Sequence, residues 1–246
     1  MTDLQHPYAT DKHATYENFE ARCPICGYWN IFNRATEFAD FGPICFKTVE
    51  CLNSSCEQQF NINGDIISPS WQEFIMQCYT FKEEKRYMLC IVTLAQAFEL
   101  FFSHFLYKTL VDEPLKKDPE PVTAENYNAL SDALYGRVEK LAYRKLRNVF
   151  LNVAIQGMTP MTVGEAMEII QRIPGMCCDP SDNTLNTYPD VDTGSLLHGV
   201  KASNIASLRN RVVHKEGFRP CLDDVESALS DTRMLIFGLA SRLGVR

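Results

Sequence analysis

Two close pairs of cysteines near the N-terminus constrain this chain more than any other feature. Cys23 and Cys26 flank Pro24-Ile25 and are followed by Gly27; Cys51 and Cys56 form a second pair about two dozen residues on. Such a tight turn presents two thiolates to one ion, and Gly27 lets the backbone bend back past it. Four sulfurs suit a tetrahedral zinc ion with every position filled. The segment that carries them, about 45 residues, is too short to bury enough apolar surface by itself. The predicted zinc is therefore first a structural staple that supplies folding energy.

The residues between the pairs carry β-favouring runs at 28–32 and 44–49, and Phe60 and Ile62 extend a strand after the second pair. The pattern resembles a zinc ribbon of the C-P-x-C-G kind, with Cys23, Cys26, Cys51 and Cys56 as ligands. The second pair departs from the C-x2-C spacing of the first. Cys45 competes for the ion on sequence alone, but Cys51 leaves the shorter knuckle to Cys56, and Cys45 reads as a small buried side chain. Tyr28, Trp29 and Phe32 either pack the ribbon or form an aromatic docking surface for a protein partner. Phosphate is disfavoured there. Glu20, Glu37, Asp40, Glu50, Glu57 and Asp65 outnumber Arg22, Arg34 and Lys47, and thiolates on zinc add negative charge.

At 246 residues the chain has room for one medium domain and a small appendage. A net charge of −7 excludes a protein coated in positive charge, so any nucleic-acid contact must be a local basic site. Residues 1–19 are polar and lack the apolar core of a signal peptide. Without an export signal the ten cysteines point to a reducing, cytoplasmic setting, where metal binding or burial outranks disulfides. The longest apolar run, 87–106, contains Gln96, Glu99, Ser103 and His104 and reads as a buried core helix, not a membrane span.

The predicted organisation is a polar tail over 1–18, the ribbon over 19–67 and a helical domain over 68–246. The fold class is mainly α, a helical bundle preceded by a small β ribbon. Helices are expected at 71–82 with Ser70 as cap, at 84–110 with Asp112-Glu113-Pro114 as stop, and at 124–134, 136–154 and 163–172. A linker follows the second of these to about residue 121. Pro174-Gly175 breaks the last, and 175–194 is rich in Asp, Asn, Pro and Thr and reads as a loop or lid. Ser203 or Asn204 caps a further helix, Gly217 supplies its left-handed stop, and Pro220 follows. The terminal helix begins near Asp223 and buries Val225, Ala228, Leu229, Leu235, Ile236, Leu239 and Leu243 at close to a 3.6-residue period.

The helix after Asn204 carries Arg209-Asn210-Arg211-Val212-Val213-His214. Histidine titrates near neutrality and can take a proton from a ribose 2′-OH or give one to a leaving 5′ oxygen. Arginine stays charged and forks onto phosphate oxygens. Asn210 and His214 are four apart and share a helix face. Arg209 lies about 140° around the helix from His214, so its side chain must curl round or serve a site shared with a second subunit.

This helix, the glycine turn and the long terminal helix together resemble the C-terminal half of a HEPN domain, whose R-x4-6-H motif appears here in its R-N-x-x-x-H form. The resemblance covers roughly residues 70–246. It implies an all-helical domain, a homodimer with the two motif helices facing one cleft, and a metal-independent endoribonuclease of the defence or toxin type. Arg209 and Asn210 would hold the scissile phosphate and His214 would move protons, leaving a 2′,3′-cyclic phosphate and a 5′-hydroxyl. The alternative is a non-catalytic HEPN module that binds RNA or a protein through the same helix. A zinc enzyme ranks last, because four cysteine ligands leave no open position for substrate.

Two further features bear on RNA. Glu99, inside the apolar run, is by the resemblance an accessory carboxylate that orients the arginine or histidine; otherwise it partners a buried basic group or lies at a dimer seam. Arg137, Lys140, Arg144 and Arg147 follow helical spacing and form a basic stripe that is either a solvated face or a phosphate track, with Arg211 a further candidate RNA contact. The stretch 112–203 is longer than a minimal HEPN core requires.

Overall fold

The computed structural model describes residues 18–33, 37–38, 47–62, 69–119, 123–186, 188–215 and 217–245. Cys45 and, apart from Asn18, the predicted 1–18 tail lie outside the described residues. Buried side chains form two separate cores. One consists of Cys23, Phe32, Val49, Cys51, Phe60 and Ile62; the other draws on residues 71–245.

The first core belongs to two antiparallel hairpins. Strand β1 (Asn18–Arg22) pairs with β2 (Trp29–Asn33), and β3 (Lys47–Glu50) pairs with β4 (Gln59–Ile62). The period-two alternation of β4 sends Phe60 and Ile62 inward and leaves Gln59 and Asn61 exposed. The expected strand at 28–32 is β2, and its partner β1 was not anticipated. Asn-Phe-Glu-Ala-Arg holds a single strong strand former, and the Cys23 turn, not intrinsic propensity, folds it back so that Arg22 faces Trp29.

The helical body is built around α2 (Tyr87–Tyr107). Helices α1 (Ser70–Glu83), α5 (Tyr143–Ile155), α9 (Ile205–His214) and α10 (Leu222–Arg242) all pack on it. A helix whose apolar arc covers more than half its circumference must be enclosed by several neighbours, and α2 buries Ile91, Leu94, Phe98, Phe101, Phe102 and Phe105. Phe102 stacks on Phe150 of α5 with ring centroids 4.8 Å apart, while Trp71 of α1 meets Phe101 edge-on at 5.7 Å. By length and composition Tyr87–Lys117 could cross a membrane, yet 61% of its most apolar window is buried inside the protein, as a core helix requires.

Four expectations change. Ser70 is the first residue of α1 and not its cap: Pro69 holds the N-cap position and no side chain caps the helix. Asp112-Glu113-Pro114 does not stop the second helix: the chain widens into a π turn at Lys108–Asp112 and continues as α3 (Glu113–Lys117). Pro114 occupies the first turn of α3, where a missing N–H costs little, and Leu110, Val111 and Leu115 keep the apolar face buried. The break expected between helices at 124–134 and 136–154 lies farther along, at 139–142. Helix α4 (Ala124–Val138), capped by Thr123, ends before a turn at residues 139–142, and α5 begins at Tyr143. No glycine or proline marks that break; packing of Val138, Leu141 and Tyr143 against the core overrides the good helix formers between them.

The segment 175–194 is also more ordered than a loop. After α6 (Val163–Arg172) comes a 3-10 turn at Ile173–Cys177, then α7 (Asp182–Asn186) and the start of α8 (Val191–Ala202), which contains Gly194. Asp190, read as a loop residue, is the N-cap of α8 and accepts a bond from the Thr193 N–H at 3.2 Å.

Helices α8 and α10 approach closely because each offers a glycine. A Cβ on Gly199 would lie 2.4 Å from a Leu235 methyl, and one on Gly238 would lie 2.9 Å from a Leu196 methyl. Gly136 in α4 has no neighbour within 4 Å of such a Cβ. Gly199→Val is therefore expected to cost about 1–3 kcal/mol by overpacking, whereas Gly136→Ala should gain about 0.5–1 kcal/mol from helix propensity. Urea unfolding of the two variants checks both signs.

Candidate functional site

The knuckles of the ribbon bring their four sulfurs together: the Sγ atoms of Cys23, Cys26, Cys51 and Cys56 all lie within 4.8 Å of one another. Cys26 and Cys51 are 3.6 Å apart. Thiolates about 2.3 Å from one ion at tetrahedral corners are spaced about 3.8 Å, so the set fits zinc. Each knuckle is closed by the same backbone bonds. Cys23 N–H donates to the Tyr28 carbonyl at 2.8 Å, and Cys51 N–H donates to that of Gln58 at 3.0 Å. The residue after each second cysteine is left-handed, Gly27 with φ 74° and Glu57 with φ 47°. The longer second spacing is absorbed at Asn53. Its carbonyl accepts from Cys56 N–H at 2.8 Å and its side-chain oxygen from Ser55 N–H at 3.0 Å.

Four thiolates this close repel one another unless a cation shares their charge. Burial, then the neighbouring Cys26 and Cys23, push Cys51 up to about 12, whereas the Tyr28 backbone N–H holds Cys26 down to about 7. Asn30, unnoticed in the sequence, ties the hairpins together. It is fully buried, donates to the Ala21 and Tyr28 carbonyls at 3.1 Å each, and accepts from Leu52 N–H at 2.7 Å. Of the aromatic trio, Phe32 is buried against Phe38 and Phe60, Tyr28 is half-buried on the same core, and Arg22 lies 5.9 Å over Trp29. Among the described residues of the ribbon, the exposed large apolar side chains are Ile25 and Leu52, one on each knuckle.

Helix α9 buries Ile205, Leu208 and Val212 against α2 and presents the motif on its other faces. Its start has no side-chain cap from Asn204; Ser203 Oγ accepts from Ile205 N–H at 3.4 Å. Gly217 has φ 87° and turns the chain toward α10, whose N-cap is Cys221. Arg209 flanks the buried stripe and is half-buried, while Asn210 and His214 are exposed on the opposite side. Arg209 Nη1 donates to Asn210 Oδ1 at 3.3 Å. Arg211 leaves this group: its guanidinium lies 3.8 Å over the Phe218 ring, and its charge helps, after the Cys221 backbone N–H, to lower the Asp224 carboxyl.

Glu99 of α2 sits opposite the motif helix. Burial raises its carboxyl above the ordinary range, and the positive charge of Arg209 pulls it part of the way back. Next to it on α5 is Tyr143, whose buried hydroxyl has no hydrogen-bond partner among the described residues. Burial pushes that phenol up; Arg147 opposes the shift and Glu99 adds to it. Arg209, Glu99, Tyr143 and Arg147 thus form one electrostatic series through α9, α2 and α5; the sequence singled out all but Tyr143, though not their connection as a series.

The basic stripe is not a single row. Arg137 ends α4 and Lys140 lies in the turn, so only Arg144 and Arg147 share a helix. Both are paired with Asp179. Comparison of the chain with protein-family profiles, with curated proteins and with solved structures gave no match.

One zinc per chain is expected by elemental analysis. Cys51→Ser should abolish it and Cys45→Ser should not; the converse result would reassign the ligands. Asn30→Ala, which leaves buried carbonyls and an N–H unpaired, should cost the ribbon about 1–3 kcal/mol per lost partner, read as earlier zinc release to a chelator.

Glu99 gives a pH test. A carboxyl with a native pKa above its unfolded value binds more protons when folded, so stability falls as pH rises through that window. Glu99→Gln should melt higher than the parent at pH 7, and the gap should close below the ordinary glutamate value, about 4.3. A lower melting point at pH 7 would mean that attraction to Arg209 outweighs burial.

Proposed function

We propose that this chain is a metal-independent endoribonuclease of the HEPN type, working as a homodimer. The observation that carries the reading is the division of labour on α9. Arg209 is drawn toward a half-buried carboxylate, Glu99, which shares α2 with the core aromatics, while Asn210 and His214 face solvent four residues apart. The negative charge of Glu99 and the bond from Arg209 Nη1 to Asn210 Oδ1 bias the arginine before substrate arrives, as charge stabilisation in a transition state demands. A solvent-facing imidazole is free to exchange protons.

In the reaction, His214 takes the proton of a ribose 2′-OH, that oxygen attacks the adjacent phosphorus, and the P–O5′ bond breaks. Arg209, steadied by Asn210 and Glu99, neutralises the charge that grows on the phosphate oxygens. The leaving 5′ oxygen takes its proton from water, and if two α9 helices face one cleft the Arg209 that serves this site is the one on the second copy. No metal takes part in these steps. The four-cysteine centre has no open position and holds the ribbon, whose exposed Ile25 and Leu52 are suited to a protein partner.

The test is incubation of purified protein with mixed RNA in a chelator concentration that leaves the ribbon folded. Cleavage with 2′,3′-cyclic phosphate and 5′-hydroxyl ends is expected. His214→Ala should lower kcat by at least about 100-fold with unchanged melting temperature and RNA affinity. Arg209→Ala should lose both rate and affinity, and Asn210→Ala less of each. Cleavage that survives His214→Ala would overturn the mechanism. RNA binding without cleavage by the parent protein would make the chain a non-catalytic binding module.

A further inference from the structure

Asp179 sits in a fork made by two arginines of α5. Its Oδ2 accepts from Arg144 and its Oδ1 from Arg147. The Arg147 side chain is 11% exposed and that of Arg144 is 75% exposed, so the fork has one enclosed and one open arm. A carboxylate bridged by two guanidinium groups occupies the position in which arginines also hold a phosphodiester.

The segment around Asp179 does not need that carboxylate to stay in place. Asn148 Nδ2 donates to the Cys177 carbonyl at 2.9 Å, and Asn152 Nδ2 donates to those of Met176 and Cys178 at 3.0 Å each. On the other side, Lys201 Nζ donates to the Pro180 carbonyl at 2.6 Å. Arg147 is independently anchored to Asn148 Oδ1 at 2.9 Å and the Lys201 carbonyl at 3.1 Å. With the backbone on both sides of Asp179 already fastened, the distinct contribution of its side chain is to cancel charge on the fork. The fork also borders the electrostatic series of the motif helix: Tyr143, four residues before Arg147, interacts with both Arg147 and Glu99, and Glu99 with Arg209.

We propose that Arg144 and Arg147 form a second phosphate subsite for RNA, masked at rest by Asp179. The choice of ligand rests on the ribonuclease reading above; the masking does not. RNA enters from the open side, and its phosphate takes Arg144 from the aspartate while Arg147 retains its backbone anchors. The cost of this exchange makes the resting protein a weaker RNA binder than its arginines would otherwise allow.

The experiment measures anisotropy of a fluorescent 2′-O-methyl RNA oligonucleotide, whose blocked 2′ oxygen prevents cleavage. Parent protein, Asp179→Asn and Asp179→Asn/Arg144→Ala are compared over a salt series. Asp179→Asn is expected to bind about tenfold more tightly at low salt, and its salt dependence should steepen by about 0.7, the increment for one added phosphate contact on a single strand. Arg144→Ala in the same background should erase both changes. The melting temperature of Asp179→Asn should stay near the parent value, because the carbonyl anchors remain. Unchanged affinity and salt slope in Asp179→Asn, with or without a drop in melting temperature, overturn the mask and leave the RNA reading standing. No RNA binding by either parent or Asp179→Asn overturns both.

Discussion

Burial of α2 is the constraint on which the helical body depends. Its buried side chains, from Thr93 round through Phe98 to Leu106, cover more than half of the helix circumference, so no single neighbour can enclose them. Helix α1 covers one side through Trp71, α5 another through Phe150, and α9 and α10 the remainder. Within this apolar element Glu99 is the exception, and burying a carboxyl is costly unless a positive charge offsets it. Arg209 supplies that charge from α9. The carboxyl buried in the core thus attracts the motif arginine, whose own hydrogen bond goes to Asn210.

The ribbon solves the opposite problem. Its core holds two cysteines among six buried residues, too little apolar surface to be self-sufficient. Four converging sulfurs supply the missing constraint, and Asn30 links the first hairpin to the second knuckle so that the two pairs stay in register. Because the ribbon and helical body bury separate cores, stability lost in one is not automatically lost in the other.

Much of this was legible in the sequence where local chemistry decides. The cysteine pairs, the apolar periodicity of α10 and the left-handed Gly217 each have a direct physical signature. What escaped were features set by distant partners. The break between Val138 and Tyr143 has no breaker residue, and β1 is a strand through its pairing with β2. Pro114 reads as a stop, but a π turn ahead of it relieves the clash. At the candidate site, Arg209 and Glu99 were singled out separately, while Tyr143 and Asp179 gave no sign in the sequence. Their importance comes from burial without a partner and from a fork assembled across thirty-odd residues.

Arg209 is half-buried and His214 exposed on one helix, and in the proposed dimer a complete site takes its arginine from one copy and its histidine from the other. Subunit mixing tests this most directly. Arg209→Ala and His214→Ala homodimers, each inactive, are dissociated and reassociated together. Random pairing yields half heterodimers, each with one intact composite site, and predicts recovery of about a quarter of parental RNA cleavage. A mixed pool that forms heterodimers yet stays inactive would contradict the account, as would full activity of the parent protein as a monomer.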